Sequence, residues 1–291
     1  MNRTVHDAAL AWAAAGRAAV VVEVVGFKGS VPRETGTRML VAADAVIGTI
    51  GGGHLELQAI EQARSLLARH GTHEPTERDF ARGSTVEREI ALGPTLGQCC
   101  GGVLRLRWQP LSRDVLAAWV APVPRFRLQL YGAGHVGRAI ARLLEGIDCR
   151  VQWIDERDSE FPAAASPAHI ERVCVEPVEA EVAQAPAGAC FLVLTHSHDL
   201  DLRITEAILR RGDFAYLGLI GSATKRARFV HRFEQRGIAA GVLARITCPI
   251  GVAGVVGKEP EVIAVAVVAQ LLALPASSTS ALGSAPLTER T

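Results

Sequence analysis

Two adjacent cysteines framed by glycines, Gly97-Gln98-Cys99-Cys100-Gly101-Gly102, are the most chemically pointed segment of the chain. A thiolate is a nucleophile and a soft metal ligand, and flanking glycines leave both backbone and sulfur free to approach a partner. The two thiols do not readily bridge each other, because a disulfide wants its Cα atoms farther apart than one peptide link comfortably allows. An ordinary thiol with a pKa of about 8.5 is only a few per cent thiolate at neutral pH, so reactivity here calls for a helix N-terminus or a nearby cation. Two small buried hydrophobes at a tight turn are the bland alternative, and the segment alone leaves the choice even.

A second constellation is Tyr131-Gly132-Ala133-Gly134-His135-Val136-Gly137, a GxGxxG placed after a strand-like run and opening a helix. In that context Gly132, Gly134 and Gly137 let backbone amides reach a pyrophosphate at the helix N-terminus. Asp155 follows 18 residues beyond Gly137, where a carboxylate can accept hydrogen bonds from a ribose diol and repel a 2′-phosphate. The alternative is a scaffold whose glycines serve only tight helix-sheet packing. Thr195-His196-Ser197-His198-Asp199 follows another strand-like run and so falls at a carboxyl end. His196 and His198 suit polar ligand contact better than a metal, since a third ligand is not evident, and Ser197 or Asp199 suits the cap of the next helix. Gly51-Gly52-Gly53-His54 precedes a helix and offers another amide cradle for an anion, without the GK[ST] of a nucleotide-hydrolysing loop. Ser30 and Arg33 in GSVPRE, Lys225 and Arg226 after Gly221, and Cys248, Pro249 and Lys258 mark further unusual turns.

The elements that must hold these residues follow from periodicity. Before residue 121, strand signals occur at 19–25, 39–41 and 45–50, with a helix over 54–70. From residue 127 strand signals at 128–131, 150–154, 189–194 and 215–220 alternate with helical stretches at 136–144, 200–211 and 224–236, and a last helix opens at Pro260. Such alternation is the signature of βαβ units and a parallel sheet. Pro122 and Pro124 disfavour helix and place a linker at 121–125 between a first domain, 1–120, and a second, 126–274. Residues 275–291, rich in Ser, Ala, Thr and Pro, carry no periodicity and are expected to be disordered. The expected fold class is therefore α/β, a mixed α/β domain followed by a Rossmann-like parallel-sheet domain.

The 291 residues carry 31 basic and 30 acidic side chains, a net charge of +1, so no long-range field favours nucleic acid or an anionic membrane. Hydrophobic residues reach 49% but aromatics only 5%, the aliphatic filling of buried parallel sheets. The longest apolar run, Val262 to Leu274, has 13 residues against the roughly 20 needed to cross a bilayer. Ala8 to Ala15 superficially resembles a signal core, but Asp7 and the lack of a clear cleavage site favour a first surface helix. Six cysteines in so long a chain are too sparse for a disulfide framework, which points to a reducing cytoplasm.

Taken in order, GSVPRE, GTIGGGHLE, LGQCCGG, YGAGHVGRA, THSHDLD, GLIGSATKRARF, CPIG and GKEP resemble the XdhC/CoxI family over about residues 5–274. These are accessory proteins of bacterial xanthine dehydrogenase and carbon monoxide dehydrogenase maturation. The resemblance implies a cytoplasmic chaperone that binds the molybdenum cofactor (molybdopterin) as cargo and protects it while a cysteine desulfurase partner supplies its terminal sulfur. It also implies delivery of that cargo to apo-xanthine dehydrogenase, within a wider molybdenum-insertion machinery and with a homo-oligomer left open. Within Cys99-Cys100 the family pattern favours Cys100, directly before Gly101-Gly102, as the cofactor and metal ligand. Gly132, Gly134, Gly137 and Asp155 carry over as a nucleotide-type site of unspecified ligand. The rival reading is an NAD-dependent oxidoreductase using that site, with His135 or His196 as acid-base residue.

Overall fold

The architecture is taken from a computed structural model that describes residues 2–68, 85–92, 101–120 and 123–275. The expected ligand pair Cys99-Cys100, part of the expected linker and residues 276–291 of the expected tail lie outside the described residues. The chain divides into two units, Met1–Pro122 and Val123–Thr291.

In the first unit, α1 (Asn2–Ala14) leads into an antiparallel sheet of β1 (Val20–Lys28), β2 (Arg38–Val41), β3 (Val46–Gly48), β4 (Val86–Ala91) and β5 (Val103–Pro110). Their order is β3-β2-β1-β5-β4. Helix α2 (Gly53–Ala68) follows β3, and the short α3 (Arg113–Ala118) follows β5. Strand alternation explains the layering. Val20, Val22, Val24, Leu104, Leu106 and Trp108 point to the face that buries Leu55, Ala59 and Ala63 of α2. The indole of Trp108 donates to the Ala59 carbonyl at 3.0 Å, which fixes that helix against the sheet. On the other face Val21 and Leu40 pack with Val5, Ala9 and Trp119 from α1 and the end of α3.

The second unit is a six-stranded sheet, all of whose recorded pairings are parallel. It runs β6 (Arg127–Tyr131), α4 (His135–Leu144), β7 (Arg150–Asp155), β8 (Ile170–Cys174), β9 (Cys190–Val193), α5 (His198–Arg211), β10 (Tyr216–Leu219), α6 (Ala223–Gln235), α7 (Ala240–Leu243), β11 (Ile246–Thr247) and α8 (Pro260–Leu272). The order β11-β10-β9-β6-β7-β8 is the doubly wound Rossmann arrangement, with its direction reversing between β6 and β9. One apolar layer joins Leu128, Leu130 and Leu192 to Ile140 and Leu144 of α4 and Val267 and Leu271 of α8. The opposite layer joins Phe191, Val193 and Leu217 to Ile204 and Ile208 of α5 and Phe229 and Phe233 of α6. The expected α/β class and parallel sheet are therefore present.

Candidate functional site

In the first unit three of the motif turns meet at one end of the sheet. The amide of Leu92 donates to the Gly102 carbonyl at 2.8 Å, so Gly101 and Gly102 re-enter β5 beside the end of β4. A Cβ on Gly102 would sit 2.4 Å from the Ser30 carbonyl oxygen and 2.7 Å from that of Lys28, and one on Gly51 would sit 2.5 Å from Cγ of Pro32. The GSVPRE turn is thus packed between the Gly101-Gly102 turn and the Gly51-Gly52-Gly53 turn, and glycine is needed at both contacts.

The three consecutive glycines have φ of +134°, +77° and +66°, a left-handed run that only glycine adopts readily. Two of their amides are already engaged, Gly51 N by the Thr49 hydroxyl oxygen at 3.1 Å and Gly52 N by Glu56. The Glu56 carboxylate accepts from Ile50 N at 3.0 Å and Gly52 N at 3.1 Å, and from the Thr49 hydroxyl, all through Oε2. The cradle expected for an exogenous anion holds an internal one, contributed by the first turn of α2. His54 is exposed and its Nε2 lies 3.1 Å from the Gln58 amide nitrogen. A separate groove of about 700 Å³ between α2 and β4 is lined by Gln58, Glu61, Arg88 and Trp108 among others, and none of the sequence-predicted site residues lines it.

In the second unit the strand order brings the GxGxxG turn after β6 and the Thr195-His196 turn after β9 to the same switch point, where ligands of open α/β sheets bind. The three glycines divide. A Cβ on Gly132 would lie 2.4 Å from the Leu194 carbonyl oxygen, and one on Gly137 would lie 2.0 Å from that of Gly132, whereas one on Gly134 would meet nothing within 4 Å. Gly132 and Gly137 are therefore demanded by packing alone. Gly134 is the position where the turn is open. It caps α4 without any side-chain hydrogen bond, so the helix N-terminus is left without a side-chain cap.

Asp155 ends β7 as expected, and its side chain is only 3% exposed. Its Oδ2 accepts from Ala133 N at 2.7 Å and Arg157 Nη2 at 3.0 Å, and its Oδ1 from Arg157 N at 3.0 Å and Arg157 Nε at 2.9 Å. Burial pushes this carboxyl up, but the Arg157 guanidinium and the two amides more than offset it and hold the group below the usual carboxylate range. His196 lies across the mouth from Glu156, with Nε2 3.6 Å from Oε1. His198 is exposed at the start of α5, and Ser197 caps that helix by accepting from Leu200 N at 3.4 Å. The crevice among Gly132, Asp155, Glu156, Thr195 and His196 measures about 10 Å³, room for a single water. Among the described residues no group of three or more His, Cys, Asp or Glu side chains is placed to hold a metal ion.

Sequence reasoning passed over a buried ion pair beside this edge. Lys225 Nζ is 2.5 Å from Asp201 Oδ2 and donates to the Ile220 carbonyl at 2.9 Å, with the two side chains 6% and 1% exposed. Asp201 Oδ1 in turn accepts from Thr195 N at 3.0 Å and from its hydroxyl at 2.7 Å. The pair thereby ties the turns after β9 and β10 together. An aspartate one helical turn inside α5 and a lysine four residues after Gly221 were the available signals.

Comparison with known proteins places this geometry. A family model described as the XdhC Rossmann domain matches residues 128–271, and one described as the XdhC and CoxI family matches residues 12–78. The chain belongs to the XdhC and CoxI family. An uncharacterised Escherichia coli K12 protein, YqeB, is 29% identical over 261 residues, 87% of this chain. The chain spans 42% of the length of that relative. A crystal structure named as a xanthine dehydrogenase from Bacillus halodurans superposes with a TM-score of 0.70 at 17% identity, covering 92% of this chain and 95% of that one, a likeness of fold. Among the described residues no helix is long and apolar enough to cross a membrane.

Proposed function

We propose that this XdhC-family chain is a molybdenum-cofactor chaperone: it receives the cofactor as cargo, shields it while a cysteine desulfurase partner supplies the terminal sulfur, and hands it to apo-xanthine dehydrogenase. The observation that carries the reading is the meeting of the GSVPRE, Gly51–Gly53 and Gly101-Gly102 turns at one end of the first unit. Cys100 directly precedes that meeting point in the chain. In this reading Cys100, with Cys99 beside it, offers a soft thiolate to the molybdenum or to its sulfur. Within that turn Glu56 holds the Ile50 and Gly52 amides and Thr49 the Gly51 amide, so the turn fits the cargo's phosphate only if that carboxylate moves away. The direct test is anaerobic purification followed by assay of bound molybdopterin and molybdenum. Loss of both from the Cys99→Ala/Cys100→Ala protein, with the fold intact by circular dichroism, is expected. Undiminished binding by that variant defeats the thiol role.

A second activity is supported by a different observation. The open Gly134, the uncapped start of α4 and the buried Asp155 at the sheet's switch point fit a nucleotide-type ligand, whose phosphates would meet the amides of α4. A nicotinamide nucleotide there would supply hydride chemistry. His196, next to Glu156, is the residue able to hold or move a proton at Nε2. Equilibrium binding of reduced nicotinamide nucleotides to the Gly134→Asp variant and the parent distinguishes a working pocket from a scaffold: equal affinity defeats the nucleotide reading.

A further inference from the structure

Asp155 has no acceptor position left for a ribose diol. Each carboxylate oxygen already takes two hydrogen bonds, and three of the four come from Arg157. A diol-bearing nucleotide therefore cannot engage Asp155 until the Arg157 guanidinium withdraws. The means of withdrawal are at hand. Arg157 side chain is 33% exposed, and its Nη1 already lies 3.5 Å from Oε1 of Glu160, three residues on. Glu160 is in turn anchored by Arg138 at 2.7 Å, so a guanidinium released from Asp155 keeps a counter-ion and is not left unpaired. The Ala133 amide holds Asp155 in place throughout, and Ala133 belongs to the glycine turn itself. The neighbouring crevice, with room for only one water, is what a closed site looks like.

We infer that Arg157 is a latch on the nucleotide site: paired with Asp155 it closes the diol-binding position, and paired with Glu160 it opens it. The inference rests on the nucleotide reading of the second unit given above. It makes Arg157 a specificity-determining residue that lowers the gain from a free 2′,3′-diol, because the diol reaches Asp155 only by displacing the guanidinium first. A ligand without the 2′-hydroxyl binds with the latch shut and gains nothing from its opening. The acidic neighbours Glu156 and Glu160 disfavour a 2′-phosphate in the same place.

The test uses the full chain and two probes of equal charge, ADP and 2′-deoxy-ADP, titrated calorimetrically into the parent and into Arg157→Ala, Glu160→Gln and Asp155→Asn proteins. Arg157→Ala is expected to tighten ADP roughly 5- to 10-fold, the scale of a half-exposed multidentate ion pair, and to leave 2′-deoxy-ADP within about twofold. Glu160→Gln removes the alternative partner and weakens ADP alone. Asp155→Asn abolishes the preference for ADP. Equal weakening of both probes by Arg157→Ala makes the arginine a phosphate partner and overturns the latch while the nucleotide reading survives. Absence of binding of either probe to the parent and to Arg157→Ala alike overturns both. A folded Arg157→Ala protein with unchanged affinity for both probes overturns the latch alone.

Discussion

Replacing Lys225 by methionine removes the cation paired with a carboxylate that is 1% exposed, and the structure sets the size of the effect. Asp201 keeps its two bonds from Thr195 on Oδ1 but loses the ammonium 2.5 Å from Oδ2. Breaking a buried ion pair from one side costs about 3–5 kcal/mol. The loss is therefore expected at about 3–5 kcal/mol, a large share of a typical domain stability of about 5–15 kcal/mol. Asp201→Asn/Lys225→Met, which leaves no buried charge, is expected to recover most of the loss. Hydrogen exchange in urea, read on peptides spanning residues 190–235, scores this unit separately from the first. A Lys225→Met protein within about 1 kcal/mol of the parent, or a double variant no more stable than Lys225→Met, refutes the reasoning.

Three other outcomes follow from single residues. Because the Asp155 carboxyl is held below its ordinary range in the folded chain, its stabilising contribution is complete above about pH 4 and is lost as pH falls further; Asp155→Asn should flatten acid unfolding in that interval, measured by circular dichroism. Burial pushes the Cys190 thiol up to about 12, so it should resist iodoacetamide at pH 8 while the exposed Cys174 is alkylated, as peptide mass mapping would show. Gly137→Ala, whose Cβ would stand 2.0 Å from a backbone carbonyl, should cost more than about 3 kcal/mol or abolish folding, while Gly134→Ala should cost about 1 kcal/mol or less, both read by urea denaturation.

The second unit was the more legible half because its strands are short aliphatic runs separated by helices, and a βαβ alternation survives errors in any one boundary. Strands 128–131, 150–154, 189–194 and 215–220 of the reading coincide with β6, β7, β9 and β10, and Pro260 stands at the first turn of α8. β8 and β11 escaped it, one partly exposed and the other two residues long. In the first unit β4 and β5 escaped it too, although Leu104-Arg105-Leu106-Arg107-Trp108 alternates buried and exposed residues with the period of a strand. There the arginines mask the pattern, since Arg107 pairs with Glu87 on β4 at 2.7 Å and so belongs to the sheet's solvated face. The Ser197 cap was legible from residue type and position. The commitment of Glu56 to the glycine turn was not, because nothing local distinguishes an acidic residue serving the helix dipole from one accepting the turn's own amides.

Glycine motifs are usually taken as evidence of a ligand, and here the contacts separate that evidence from packing. Gly132, Gly137 and Gly102 each approach a backbone carbonyl so closely that no side chain fits, and Gly51 approaches the Pro32 ring in the same way. In this chain the packing alone calls for glycine at these positions, whatever the protein binds. Gly134 and Gly52 face open space. Gly52 nevertheless has φ of +77° and gives its amide to Glu56, so its identity too has a local cause. Gly134 alone among these combines an extended φ of −68°, free space and an uncapped helix start, so neither backbone strain nor a clash requires a glycine there. The case for an occupant of the second unit thus narrows from a six-residue fingerprint to one open turn, and to the carboxylate that Arg157 covers.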